Sequence, residues 1–211
     1  MHNVELVHVT PDAEQLIAYM ARVSNPANQD NPDCIKLIKY LIKHKHWSPF
    51  EMVNMCVQID TTRSVASQIL RHRSFSFQEF SQRYAQVVNT PSHPNFRRQD
   101  TSNRQNSIDD LNEFTQKEFQ IRTQDLFDQS LALYNEMLAA GVAKECARDV
   151  LPLSTPTKLY MNGTLRSWLH YTALRCANGT QYEHQLIATG VKQLLIQQSP
   201  LVSQAMWPVE K

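Results

Sequence analysis

Glycine is scarce: among 211 residues there are four, Gly141, Gly163, Gly179 and Gly190. No G-x-G-x-x-G and no G-x-x-x-x-G-K-[ST] can be built from them, so a glycine-rich backbone cradle is excluded and any bound nucleotide must be gripped by side chains. Cysteine is sparse too. Cys34, Cys56, Cys146 and Cys176 are scattered with no C-x-x-C pair, and they read as free thiols packed as small hydrophobes. Apolar runs of the roughly 20 residues that span a bilayer are missing. Met1-His2-Asn3-Val4-Glu5 also lacks the basic start and apolar stretch of a secretory signal, so the expectation is a cytoplasmic protein. Excess charge of either sign is absent. The formal net charge of +1 argues against general adhesion to nucleic acid.

What is present is an ordinary globular balance, 42% hydrophobic and 19% charged, of a size for one domain over residues 1–211. Residues 4–9 alternate as a first strand. Thr10-Pro11-Asp12 signals a helix to about Arg22, and Asn31-Pro32-Asp33 a second one with the stripe Ile35, Ile38, Leu41 and Ile42. Residues 52–60 alternate as a half-buried strand with Val53, Met55, Val57 and Ile59 on one face. Thr61 or Thr62 caps a helix carrying Val65, Ile69 and Leu70, and residues 81–88 return as a strand. Residues 89–107 form a long polar loop, read as a functional flap or mobile segment. Ser107 with Asp110 opens a long helix closed at Gly141. A shorter helix over 143–151, a strand over 158–161, and helices over 164–177 and 181–198 follow. The fold class is α/β (α+β-like): a central mixed sheet flanked by helices, with long helices in the second half.

The densest chemistry lies between Arg71 and Tyr84, where Arg71-His72-Arg73 is followed by Glu79, Ser81 and Arg83. In an extended conformation residues 79, 81 and 83 share one face, and arginine reads phosphate bidentately. Basic residues at a helix end also simply complement the helix dipole, at roughly 0.3–1 kcal/mol each. Three successive residues of a helix fan about 100° apart, so the triple cannot aim at one small molecule unless the helix has ended or several ligands are served. Arg166 and Arg175, nine residues apart, face opposite sides of one helix, with His170 near the Arg166 side.

Arg71-His72-Arg73, seven residues, then Ser81, continued by Arg83-Tyr84, resembles the signature of flavin-dependent thymidylate synthases. His46-x-x-Pro49-Phe50-Glu51, Glu145-x-x-Arg148-x-x-Leu151-Pro152-Leu153, Leu165-Arg166-Ser167-Trp168, Leu174-Arg175 and Gln181-Tyr182-Glu183 follow the same family in order, over residues 46–183. The resemblance implies FAD, methylene-tetrahydrofolate as carbon donor, NADPH as reductant, and a homotetramer with sites at subunit interfaces. It places Ser48, Arg71, His72, Arg73, Glu79, Thr164, Leu165, Arg166 and His170 on FAD. On deoxyuridine monophosphate (dUMP) it places Gln68, Ile69, Leu70, Arg71, Glu79, Phe80, Ser81, Gln82, Arg83, Arg148 and Arg175, with Arg175 catalytic and Arg83 and Arg148 on the 5′-phosphate.

His46 is the implied flavin or folate neighbour, or else a solvated member of the basic run His44-Lys45-His46. Two histidines without a second ligand pair do not make a zinc site. Cys146, between Lys144 and Arg148, is read as buried and structural. Ser81 binds rather than attacks, because no base is evident to activate it. Met52 stands where many family members have His, and His170 where Asn is frequent. The competing readings are a flavin enzyme for another anionic nucleotide, and a nucleic-acid module stacking bases on Phe75, Phe77, Phe80 and Tyr84.

Overall fold

The computed structural model describes residues 2–208. Strands β1 (Asn3–Val9), β2 (Asn54–Thr62), β3 (Phe75–Glu79) and β6 (Pro156–Thr164) form one sheet in the order β1-β2-β6-β3. Every pairing in it is antiparallel, so the sheet is not the mixed one expected from sequence. The reason lies in the β2–β6 register, Asn54 against Thr164 through Thr62 against Pro156: two strands brought together from far apart in the chain, with no βαβ crossover to make them parallel. A separate two-stranded ladder, β4 (Arg98–Gln99) with β5 (Ser107–Ile108), folds the polar loop back on itself.

Strict alternation along β2 puts Met55, Val57 and Ile59 on one fully buried face, matched by Leu159 and Met161 of β6. Each such side chain removed from water stabilises the fold by roughly 1.5–3 kcal/mol. Helices α1 (Ala13–Ala21), α2 (Ile35–Lys43), α6 (Leu165–Arg175), α7 (Tyr182–Gln198) and α8 (Pro200–Met206) contribute Ile17, Ile38, Trp168, Leu169, Ile187, Val191 and Val202 to this core. The other sheet face, with Lys158 and Tyr160, is exposed in the single chain. A smaller cluster of Val87, Tyr134 and Ala147 joins α4 (Glu113–Ala139) to α5 (Lys144–Ala147), and the Val87 amide donates to the Tyr134 hydroxyl at 3.1 Å.

Several boundaries differ from the sequence expectation for local reasons. Residues 81–88 are not a strand: Ser81 to Tyr84 closes a turn by a 3.1 Å backbone bond, and the strand is instead Phe75–Glu79. The long helix starts at Glu113, not at Ser107, because the Asn112 side chain accepts from the Phe114 and Thr115 amides while Ser107 is drawn into β5. It closes as expected, with Gly141 in the left-handed region (φ 86°) and the Val142 amide returning to the Met137 carbonyl at 2.9 Å. Cys146 is exposed rather than buried, since α5 turns it away from the Ala147 contact with the small cluster.

Helix α3 (Arg63–Ile69) leaves β2 at Thr62 and stops before the arginine triple. The chain stays wound just beyond it, the His72 amide donating to the Ile69 carbonyl at 3.1 Å, and then enters β3. At that entry Phe75 lies flat over Gly163 of β6, its cross-strand partner. A Cβ at Gly163 would stand 2.4 Å from the Phe75 ring, which is itself wedged against Trp168 at 4.6 Å. Gly163→Ala is therefore expected to destabilise the fold by about 1–3 kcal/mol, read as a lower urea midpoint; a midpoint equal to the parent's would show that the ring has room to retreat.

Candidate active site

Helix α6 is the platform on which the candidate residues meet. Thr164 caps it, accepting from the Ser167 amide at 3.2 Å, and Trp168 pins it to the sheet by donating to the Met55 carbonyl at 2.9 Å. With Leu165, Trp168, Leu169, Tyr171 and Thr172 buried, only two edges of the helix remain available. On one edge Arg166 pairs with Glu51, and the His170 ring meets Trp47 edge-on at 5.0 Å, both against the 3-10 turn Ser48–Glu51. The opposite edge faces the turn after α3: Ser167 donates to the Ser74 carbonyl at 3.3 Å, Tyr171 meets the His72 ring at 5.0 Å, and Arg175 reaches His72. The expected division of Arg166 and Arg175 between two sides of one helix is what the structure has.

The Arg175 guanidinium donates through Nε to His72 Nε2 at 2.9 Å. Burial, and secondarily the Arg175 charge, hold the His72 pKa below its ordinary value, so the ring is a neutral acceptor and cancels none of the arginine's charge. Arg71 and Arg73, on either side of His72, are exposed, and among the described residues no carboxylate lies within ion-pair distance of Arg71, Arg73 or Arg175. The other arginines near the site are spoken for: Arg63 by Glu79 at 2.6 Å, Arg97 by Glu183 at 2.7 Å, Arg166 by Glu51.

Behind this cationic turn runs a line of neutral polar groups. His184, fully buried, bonds through Nε2 to the Tyr171 hydroxyl at 3.1 Å and through Nδ1 to Gln68 Oε1 at 3.3 Å. Gln68 continues to Gln181, and Gln181 to Glu183 at 2.9 Å. Burial first, then the Arg175 charge, push the His184 pKa down to about 3. Burial alone would raise the Glu183 carboxyl, but bonds from Gln181 and Arg97 outweigh it and hold the group below the usual carboxylate range.

A second basic group sits at the other end of α3, about 10 Å away along its axis. Arg63, Gln82, Arg148 and Asp149 line a cavity of about 280 Å³, and the Gln82 Nε2 is buried with no hydrogen-bond partner among the described residues. Arg83 is exposed on Glu145 at 3.2 Å, a pairing worth little in solvent. The Glu79 carboxylate accepts from both Arg63 and Thr157 Oγ1, and no hydrogen bond or ion pair links this group to Arg175 among the described residues. The expected single face of residues 79, 81 and 83 does not form, because β3 ends at Glu79.

The family model for the thymidylate synthase complementing protein matches residues 5–201. The chain belongs to the flavin-dependent thymidylate synthase family. It is 52% identical over 195 residues to a probable flavin-dependent thymidylate synthase of Paramecium bursaria Chlorella virus 1, covering 92% of this chain and 90% of that one. It is 51% identical over 193 residues to the flavin-dependent thymidylate synthase of Synechocystis sp., covering 92% and 89%. Among solved structures it is similar to the UMP/dUMP methylase PolB of Streptomyces cacaoi bound with 5-Br dUMP, with a TM-score of 0.85, 26% identity, and coverage of 97% and 94%.

Of the residues expected from the family motifs, the structure gathers Gln68, His72 and Arg175 by direct contacts or through His184, with Arg71 and Arg73 flanking His72. Thr164, Arg166 and His170 lie along α6, and Ser48 in the facing turn is exposed. Ile69 and Leu165 are buried, so their side chains serve the core; Leu70 and Phe80 are partly exposed. His46 lies apart, exposed beside Tyr40 and His44 with ring centroids 5.9 and 6.0 Å away. Tyr171, His184 and Arg97 escaped the sequence reading. His184 did leave a signal: with Glu183 it is a polar residue on the otherwise apolar buried stripe of α7 that continues through Ile187, Ala188, Val191 and Leu195.

The neutral state of His184 has a consequence for stability. Its folded pKa of about 3 lies below the ordinary 6.5, so between those values the unfolded chain binds the extra proton and stability falls as pH drops. About 1 kcal/mol is expected to be lost to this group between pH 6.5 and 5.5. In urea titrations at the two pH values His184→Asn should lose that much less than the parent; equal losses would contradict the assignment.

Proposed function

We propose that this protein is a flavin-dependent thymidylate synthase that converts dUMP to dTMP. Methylene-tetrahydrofolate supplies the carbon, and FADH2, regenerated by NADPH, the hydride. The whole chain serves as one catalytic domain in the cytoplasm. The observation that carries the reading is Arg175, held by a neutral histidine beside Arg71 and Arg73, three guanidinium groups without a carboxylate among them. Such a set suits anionic ligands, since the charge is fixed in place yet not cancelled.

The residues present fit the flavin. Arg71 and Arg73 offer donors to a diphosphate, His72 and Arg175 carry no opposing charge, and Ser48, Thr164, Arg166 and His170 border the other edge of α6. When bound, FAD supplies the hydride that reaches C6 of the uracil. The chain's own contribution is electrostatic: negative charge develops on the ring carbonyl and N3, and Arg175, preorganised by His72, faces that charge. Arg83 and Arg148 anchor the 5′-phosphate, Arg148 from the wall of the cavity it shares with Arg63 and Gln82. Leu70, Phe80 and Ser81 complete the nucleotide contacts, Ser81 as a hydrogen-bond partner and not a nucleophile. No base is bonded to the Ser81 hydroxyl among the described residues.

The two basic groups occupy opposite ends of α3 in one chain. A homotetramer that sets one subunit's Arg148 cluster against another's Arg175 cluster closes the site. The exposed apolar residues of α4, Phe114, Ile121 and Leu126, and the bare sheet face support such an assembly. The likeness to a UMP/dUMP methylase makes the ribonucleotide the natural control.

The test is direct. Purified protein is expected to be yellow, to release flavin on denaturation, and to form dTMP from dUMP, methylene-tetrahydrofolate and NADPH. Bound flavin without dTMP would leave an enzyme for another anionic nucleotide. Ser81→Ala is expected to keep measurable turnover, and complete loss with intact dUMP binding would contradict its role.

A further inference from the structure

Gln68 lies in the last turn of α3, half-buried, and its amide can be oriented two ways that differ only in which end is oxygen. The surrounding bonds allow one of them. A carboxylate only accepts, so Glu183 fixes the direction of everything bonded to it: Arg97 Nη2 donates to one oxygen at 2.7 Å and Gln181 Nε2 to the other at 2.9 Å. Gln181 is thereby left with its carbonyl toward Gln68, whose Nε2 donates to it. Gln68 Oε1 then faces His184 Nδ1 at 3.3 Å and requires a proton there, and His184 Nε2 accepts from the Tyr171 hydroxyl at 3.1 Å. Turning the Gln68 amide over would set oxygen against oxygen at Gln181, whereas His184 could follow by taking its other tautomer with the Tyr171 hydroxyl accepting, so the direction is imposed from the Glu183 end.

Arg97, which terminates the chain, belongs to the 89–107 loop. It is held there by Ser107 Oγ at 2.8 Å and by the Tyr182 ring at 4.9 Å in addition to Glu183. The line therefore joins that loop to a side chain one turn from Arg71-His72-Arg73. Gln68 keeps one N–H and one lone pair unused, presented in a fixed order.

We propose that Glu183, held by Arg97 of the 89–107 loop, is a positioning residue: through Gln181 it sets which end of the Gln68 amide meets the nucleotide. This rests on the reading of Gln68 as a uridylate contact. Glu183 touches no ligand in this scheme; its charge supplies the direction, and docking of the loop through Arg97 completes the site. Glu183→Gln keeps the shape, but Arg97 only donates and so takes the new amide's oxygen, leaving its N–H group toward Gln181; the line then runs the opposite way, with His184 in its other tautomer and the Gln68 amide turned over.

The experiment is a double-mutant cycle on the flavin-loaded protein, measuring dUMP affinity for the parent, Glu183→Gln, Gln68→Ala and the pair. Glu183→Gln is expected to weaken dUMP about tenfold with flavin occupancy unchanged, and the pair to be no weaker than Gln68→Ala alone. Parent-like affinity in Glu183→Gln, or losses that multiply in the pair, would overturn the proposal. Gln181→Leu, an exposed change that cuts the line between Glu183 and Gln68, carries the same test should Glu183→Gln not fold. A parent that takes up no dUMP contradicts the functional reading instead. The relay is then judged by the Gln68 side-chain amide resonances, which move in Glu183→Gln if it operates and keep the parent's positions if it does not.

Discussion

The bond from Arg175 Nε to the neutral Nε2 of His72 is the contact around which this site is organised. An arginine clamped by a carboxylate is well placed but electrically spent; one clamped by an imidazole is well placed and still carries its charge. The histidine must stay unprotonated for this, and burial together with the adjacent cation keep it so. The remaining architecture serves that contact. Trp168 anchors α6 beneath the sheet, Tyr171 packs edge-on against the His72 ring, and Phe75 closes the turn from behind against Gly163.

A short helix then explains the distribution of charge. With seven residues, α3 carries Arg63 and its Glu79 partner at one end and the Arg71-His72-Arg73 turn just past the other. Among the described residues one chain thus displays two basic groups that no hydrogen bond or ion pair joins. The three consecutive basic residues fan apart, His72 turned inward to Arg175 while Arg71 and Arg73 stay exposed.

Much of this was legible in the residues, and the misses have physical causes. The alternation of β2, the Gly141 stop and the opposed faces of Arg166 and Arg175 followed from periodicity alone, because side-chain period and burial coincide there. β3 was hidden: Phe75 and Phe77 alternate with Ser76 and Gln78 over only five residues, directly after a basic turn, and the eye is drawn to the charges. The sheet's antiparallel order was invisible because β2 and β6 are almost a hundred positions apart and local pattern says nothing of partner direction. Ser107 mimicked a helix cap but was overridden by pairing with Gln99, while Asn112 made the cap. The relay behind the site was the least readable part, since Gln68, Gln181, Glu183 and His184 acquire meaning only once α3 and α7 lie side by side.

The most direct measurement is the titration of the His72 ring, followed by NMR, in the parent and in Arg175→Met. The predicted result is a ring that titrates below 6.5 in the parent and moves upward when the cation is removed. A ring that titrates at or above 6.5 in both proteins would contradict the account, because Arg175 would then face a cation instead of an acceptor.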